Sequence, residues 1–420
     1  MFSSTRMNTF TKNVLKLSSS SLIASVLAIV TLPILTTLFS TSTLGQYQLL
    51  VSVITLFGVV ASLKYEMAIV LPKEAGIASQ VMCLSFIVLL IFSSVIAICF
   101  YLFTMPLLRL LNAESLKSIV LYIPIGIFFY GLMEIVKFAL VRKKKFNEFA
   151  LMKISQVLLT QFSMIGFGWF YADILTLFVC YIFGLIFATI LFINKSLMNI
   201  SFNSFQAIRQ IAFRYKKFPL INSTSVFLNT LLNELPVFFI VKYFSLEMVG
   251  LYMLANRLVI LPMNLIGTSV NKVYFQTASD TYNHNPRKLM DTYIQTVKRL
   301  SMIGLLPLII IIFLAPFFIQ LIFGQEWAFT GTIMQILAIG MFLKFITSPI
   351  STTFTILNKQ EIGLYVTVVS LIFRFGAMYY FRLDISHMFW ALTISSVLYY
   401  FFYNLLIYRM IILEINNKAK

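Results

Sequence analysis

A chain of 420 residues in which 60% of side chains are apolar and only 11% charged, with a mean hydropathy of +0.92, is excluded from the water-soluble globules, whose charged share is about 25%. The 32 Lys and Arg against 14 Asp and Glu, a formal net charge of +18, do not by themselves indicate nucleic acid, because a membrane protein gathers basic residues in its cytoplasmic loops for topological reasons. No stretch is long and polar enough for a soluble domain, so a catalytic ectodomain is excluded as well.

Apolar runs of the length a bilayer requires, about 20 residues each, fall at 17–39, 47–71, 81–103, 118–141, 154–172, 174–194, 218–244, 251–275, 300–323, 331–356, 364–381 and 387–408. They predict an all-α polytopic membrane protein with about twelve transmembrane helices. Arg6, Lys12 and Lys16 precede the first run and no small-x-small cleavage site follows it, so a retained first span is expected. With the connections assigned alternately, one side carries 22 Lys and Arg and the other three, Arg109, Lys117 and Arg382. Both termini are therefore expected to be cytoplasmic. Cys83, Cys99 and Cys180 all lie within apolar runs. Cys83 and Cys99 would stand about 24 Å apart along one helix, too far for a disulfide.

A weak repeat organises the spans. Leu32-Pro33 followed by Gly45-x-Tyr47 recurs as Leu235-Pro236 followed by Gly250-x-Tyr252, and Pro106 near the end of the third span is echoed by Pro316 near the end of the ninth. A duplicated six-helix unit is expected, with residues 1–194 as the N-terminal lobe and 218–420 as the C-terminal lobe. An even number of spans per copy relates the two lobes by an axis along the membrane normal. The linker 195–217 sets Phe205, Ile208, Ile211 and Ala212 at helical spacing among Arg209, Arg214, Lys216 and Lys217, which predicts an amphipathic interfacial helix.

Charges inside spans cost about 2.5–3.5 kcal/mol each on insertion scales, so each needs a partner, a wet cavity or a job. The basic ones are Lys64, Lys137, Lys242, Arg257, Lys272, Lys344 and Arg374, and the acidic ones Glu66, Glu134 and Glu234. Lys242 and Lys272, near span ends, are read as snorkelling. Polar side chains line up at helical spacing: Asn222, Ser225, Asn229 and Asn233; Arg257, Asn264, Thr268 and Asn271; Lys344, Ser348, Ser351 and Thr355; Thr367, Ser370 and Arg374; Gly126, Tyr130, Glu134 and Lys137; Ser52, Thr55, Ser62 and Glu66. Any single Asn or Ser is accounted for by a bond to a neighbouring helix. Stripes in both halves describe a hydrated central cavity with a basic excess, suited to an anionic, hydroxyl-rich substrate. Glu134 and Lys137, three apart, are expected to pair on one helix face. Lys64 and Glu66, two apart, cannot face each other on one helix, so each is expected to find a partner elsewhere. His284 and His387 are given no special role, and the run Arg142 to Lys145 is read as a topology determinant.

A GxxxxGK[ST] phosphate loop, HExxH, GxSxG and Asp-x-Asp are all missing, which argues against ATP hydrolysis by that route and against an enzyme. Transport is the expectation. A multidrug exporter of the same fold and an integral glycan polymerase are the alternatives.

Four motifs in order carry a family resemblance: Leu32-Pro33-Ile34-Leu35-Thr36 with Gly45-Gln46-Tyr47; Lys64-Tyr65-Glu66-Met67-Ala68-Ile69-Val70-Leu71-Pro72; Asn256-Arg257-Leu258-Val259-Ile260-Leu261-Pro262; and Phe323-Gly324-Gln325-Glu326-Trp327. The chain resembles the polysaccharide repeat-unit flippases, the Wzx-type O-antigen and capsule translocases of the multidrug/oligosaccharidyl-lipid/polysaccharide exporter superfamily. The resemblance implies transfer of undecaprenyl-diphosphate-linked oligosaccharide from the cytoplasmic to the outer leaflet of the bacterial inner membrane by alternating access. It also implies a cationic lumen, with Lys64, Glu66 and Arg257 at matching positions; many relatives carry a basic residue where Thr37 stands here. The expected substrate-binding set is Arg257, Lys344, Arg374, Lys64, Glu66, Glu234, Asn229, Asn233 and Asn264. No cofactor or metal is expected; the driving force is the membrane potential or an H+ or Na+ gradient acting through Glu234 or Glu66. Expected partners are the lipid-linked oligosaccharide, membrane lipids, a polysaccharide polymerase and a chain-length regulator.

Overall fold

Backbone amides in hydrocarbon have no water to bond, so a lipid-embedded chain must satisfy them within helices or closed barrels. This chain uses helices. The computed structural model describes residues 22–196, 205–284, 286–357 and 359–418, and among them every regular element is helical. Two compact units are formed, Met1–Gly250 and Leu251–Lys420.

The first unit contains α1 (Leu22–Leu38), α2 (Thr41–Gly58), α3 (Ala75–Leu110), α4 (Ile123–Arg142), α5 (Phe146–Gly168), α6 (Ile174–Ser196), α7 (Phe205–Arg214) and α8 (Thr224–Tyr243). Helix α3, at 36 residues, runs about 54 Å, longer than the hydrocarbon layer. It kinks at Phe103, three residues before Pro106, whose ring displaces the carbonyl one turn back. The predicted linker helix is present as α7. Its Ile208 and Ile211 are buried, and Tyr65 Oη donates to the Ala212 carbonyl at 3.3 Å.

The predicted second span, 47–71, is not one helix. Helix α2 begins earlier, at Thr41, under an N-cap in which Ser40 Oγ accepts from the Thr43 amide at 3.2 Å, and it stops at Gly58. Leu63 and Lys64 then adopt positive φ, 48° and 61°, and a 3₁₀ turn follows over Tyr65–Val70. Two successive left-handed residues end any right-handed helix. The resulting strap, residues 59–74, survives in an apolar setting because Arg142 satisfies its carbonyls. The guanidinium donates to Ile69 O at 2.9 Å, Pro72 O at 2.7 Å and Glu74 O at 3.2 Å. Arg142, read from the sequence as a topology residue, is thus also the strap's clamp.

Helix α9 (Leu246–His284) starts in the first unit and continues into the second, which adds α10 (Pro286–Phe323), α11 (Ala328–Ile350), α12 (Gln360–Tyr380) and α13 (Ile385–Lys418). The predicted 276–299 loop is instead the ends of α9 and α10. Their extensions bury Tyr274, Ala278, Leu289 and Tyr293 against Ile407, Met410 and Ile411 of α13, and that apolar face is what keeps the polar-looking segment helical. At the next turn Gly324 takes φ 88°, ψ 176°, a conformation open essentially to glycine alone, and it delivers the fully buried Trp327 to the start of α11.

Among the described residues, and with α7 set aside, twelve helices stand where the twelve spans are predicted. Nine of the helical segments are, among the described residues, long and apolar enough to cross a membrane. The division between the compact units falls at Gly250/Leu251, with α8 packed on α2 within the first unit.

Candidate functional site

The charges of the first unit converge on one polar network. Lys64 and Glu66 form an ion pair with Nζ–Oε1 3.2 Å, with the side chains 7% and 0% exposed, and Ser62 Oγ donates to the same carboxylate through Oε2. The expectation that these two residues could not meet assumed a helix. The left-handed turn at Lys64 replaces helical geometry and folds the lysine back over Glu66. One helix away, Lys137 Nζ lies 2.7 Å from Glu134 Oε1, the predicted i,i+3 pair. Glu134 also lies within electrostatic range of Lys64 and Lys153. Lys153 had been assigned to a loop; α5 starts at Phe146 and carries it into the protein. The spacing Lys153, Gln156, Thr160 is the sequence signal that would have found it.

A second branch reaches α8. Gln48 Nε2 donates to Ser52 Oγ at 3.1 Å, and Ser52 Oγ donates to Glu234 Oε2 at 2.6 Å. Tyr130 lies within electrostatic range of both Glu134 and Glu234. Three lysines, Lys64, Lys137 and Lys153, therefore stand against three glutamates, Glu66, Glu134 and Glu234. The network is balanced in charge.

Asn229 and Asn233 on α8 are exposed, whereas the next residue, Glu234, is half-buried. Each amide donates from Nδ2 to a carbonyl one turn back, Ser225 O and Asn229 O, both at 2.8 Å. These two amides sit within an apolar helical segment, Phe218–Tyr243, long enough to cross the membrane.

In the second unit the charges inside spans are basic. Arg257 is half-buried on α9 and, among the described residues, meets no hydrogen-bonding or acidic partner. Lys344 is half-buried on α11. Arg374 is different: it is buried with Thr367 and Ser370 on the face of α12, and its Nη2 donates to Ser396 Oγ on α13 at 2.8 Å. Arg374 thus lies between α12 and α13. The side chain of Asn264 lies outside the described residues. The three cysteines are free thiols, and among the described residues no cluster of His, Cys, Asp and Glu could hold a metal.

The arrangement of helices has known counterparts. An inward-facing multidrug resistance MATE family transporter of the MOP superfamily aligns with a TM-score of 0.73 at 17% identity, covering 94% of this chain and 95% of the other. The lipid II flippase MurJ in an inward closed conformation aligns with a TM-score of 0.72 at 16% identity, covering 92% and 86%. A MOP superfamily transporter from Pyrococcus furiosus, described as having a binding pocket of reverse polarity, aligns with a TM-score of 0.63 at 16% identity, covering 96% of each. At these identities the likeness shows the fold alone, the one these solved structures share. No curated protein sequence matches. The model of one family, described as polysaccharide biosynthesis protein, matches residues 34–330. The chain belongs to that family.

Proposed function

We propose that this polysaccharide biosynthesis family member is a flippase for lipid-linked oligosaccharide: it moves undecaprenyl-diphosphate-linked repeat units from the cytoplasmic to the outer leaflet of the bacterial inner membrane, for O-antigen or capsule assembly. The observation that carries the reading is the exposed amide pair Asn229 and Asn233 inside an apolar span. Even with one N–H bonded within its own helix, an amide turned to hydrocarbon carries part of a transfer penalty of several kcal/mol, so this face of α8 is the natural wall of a hydrated passage. Amides there are suited to sugar hydroxyls.

Arg257 and Lys344 are the cations assigned to the diphosphate, because each is half-buried within an apolar helix and an anion would offset its desolvation. Arg374, held by Ser396, supports them from between α12 and α13. Asn264 completes the set assigned to sugar contacts. The lipid tail stays in the bilayer, and rocking of the two repeat-derived lobes, 1–194 and 218–420, exposes the headgroup outward. Outward movement of negative charge from a negative-inside cell is favoured by about 2.3 kcal/mol per charge per 100 mV, so the membrane potential can drive the step. Coupling to H+ or Na+ would use Glu234, whose carboxylate accepts from the Ser52 hydroxyl at 2.6 Å, in preference to Glu66, which is held in an ion pair by Lys64. A polymerase and a chain-length regulator are the partners that would consume the exported unit.

The test is the leaflet distribution of lipid-linked oligosaccharide in cells lacking this protein, complemented by wild type, Asn229→Leu/Asn233→Leu, Arg257→Ala, Lys344→Ala or Arg374→Ala at matched expression. The reading requires trapping on the cytoplasmic leaflet that wild type relieves and the α8 double variant does not. Glycolipid that reaches the outer leaflet without the protein overturns it.

A further inference from the structure

The basic end of the first unit carries more charge than the strap needs, and beside it stands exposed hydrocarbon. No Asp or Glu occurs from residue 174 to 233. Within that stretch α7 buries Ile208 and Ile211 and exposes Arg209, Arg214, Lys216 and Lys217. Phe213 is 63% exposed and Leu220 68%. The helix is pinned by Tyr65, whose hydroxyl reaches the Ala212 carbonyl, and the following turn, Phe218–Ser223, packs on Tyr65–Val70.

A second basic group borders the same strap. Arg142 clamps its carbonyls, and Lys143 and Lys145 Nζ both donate to the Lys195 carbonyl at the end of α6, at 3.4 and 3.2 Å. Partial burial and the neighbouring Lys145 hold the Lys143 ammonium below the usual lysine range. Basic residues thus meet the strap from two elements, Arg142 at the end of α4 and the α7 segment held by Tyr65.

We infer that α7 and the turn after it form a docking face for anionic phospholipid. Phe213 and Leu220 enter the acyl layer, while Arg209, Arg214, Lys216 and Lys217 take the headgroup phosphates. A free phosphate or the substrate's diphosphate would satisfy the cations but not the exposed Phe213 and Leu220; a lipid surface satisfies both. Because Tyr65 ties α7 to the strap that carries Lys64 and Glu66, lipid held here braces the charged network from outside.

Amide hydrogen exchange on the full chain tests this. The protein is placed in nanodiscs of phosphatidylcholine alone or of a two-to-one mixture of phosphatidylcholine and phosphatidylglycerol. Exchange over 206–221 should slow about tenfold in the mixed discs, salt should abolish the difference, and Arg209→Gln/Arg214→Gln/Lys216→Gln/Lys217→Gln should remove it while α2 keeps its protection. If that variant fails to fold, the wild-type comparison between the two discs and its salt dependence decide alone. Equal exchange in both discs overturns the inference, as does protection by inorganic pyrophosphate in phosphatidylcholine discs with no response to phosphatidylglycerol.

Discussion

Gly45 and Gly250 pack against each other reciprocally. A Cβ on Gly45 would lie 1.7 Å from the Leu246 carbonyl oxygen and 3.0 Å from Gly250 N, and one on Gly250 would lie 2.1 Å from the Thr41 carbonyl oxygen and 3.3 Å from Gly45 N. These are the equivalent glycines of the sequence repeat, and the equivalence extends to their caps. Ser40 Oγ accepts from the Thr43 amide and Ser245 Oγ from the Met248 amide, both at 3.2 Å. The two helices therefore start in the same way and cross at a glycine from each, which lets the backbones touch.

Gly45→Ala and Gly250→Ala should each destabilise the protein by at least the 1–3 kcal/mol or so typical of overpacking, because the obstacle is backbone and cannot rotate away. Gly76→Ala, where a Cβ meets nothing within 4 Å, is the control. Thermal unfolding in detergent reads the difference, and equal melting temperatures for Gly45→Ala and Gly76→Ala would contradict the crossing.

Removing one member of the Lys64–Glu66 pair leaves an uncompensated buried charge. Glu66→Leu or Lys64→Met alone should cost about 3–5 kcal/mol, and the double variant much less than the sum. The same unfolding measurement, run as a double-mutant cycle, checks this; additive losses would mean the pair does not exist.

Glu134 is served unequally by its two lysines. Lys137 donates at 2.7 Å, whereas Lys153 acts at longer range. Lys137→Met should therefore lose about 2–3 kcal/mol and Lys153→Met about 1 kcal/mol or less. The reverse order in chemical denaturation would reassign the carboxylate's partner.

The helical extensions of α9 and α10 make their own prediction. Leu289, 1% exposed, packs in the cluster with Tyr274, Ile407 and Ile411, so Leu289→Ala should cost about 2–5 kcal/mol as for a core leucine. Were 276–299 an open loop, the substitution would be neutral in the melting curve.

Span number, membrane residence and the Glu134–Lys137 pair were legible in the sequence because each rests on local regularity: about 20 apolar residues make a span, and residues three apart share a helix face. The amphipathic helix at Phe205–Arg214 was legible for the same reason. The candidate site was legible only in part. Asn229 and Asn233 were identified as a stripe, but that they are exposed while Glu234, the next residue, turns inward to Ser52 depends on what packs against α8. Arg374 reads the same as Arg257 along the chain, yet its neighbour Ser396 takes it into a helix interface.

What the sequence determined by itself was the period: hydrophobic length, helical spacing and the repeat that relates Gly45 to Gly250. What tertiary structure decided was every departure from that period. The strap at Leu63 and Lys64 breaks a span that composition alone would continue, because Arg142, some 70 residues away in the chain, supplies the hydrogen bonds a helix would have supplied. That substitution of a distant donor for a local one brings Lys64 onto Glu66, and no spacing rule within the segment contains it.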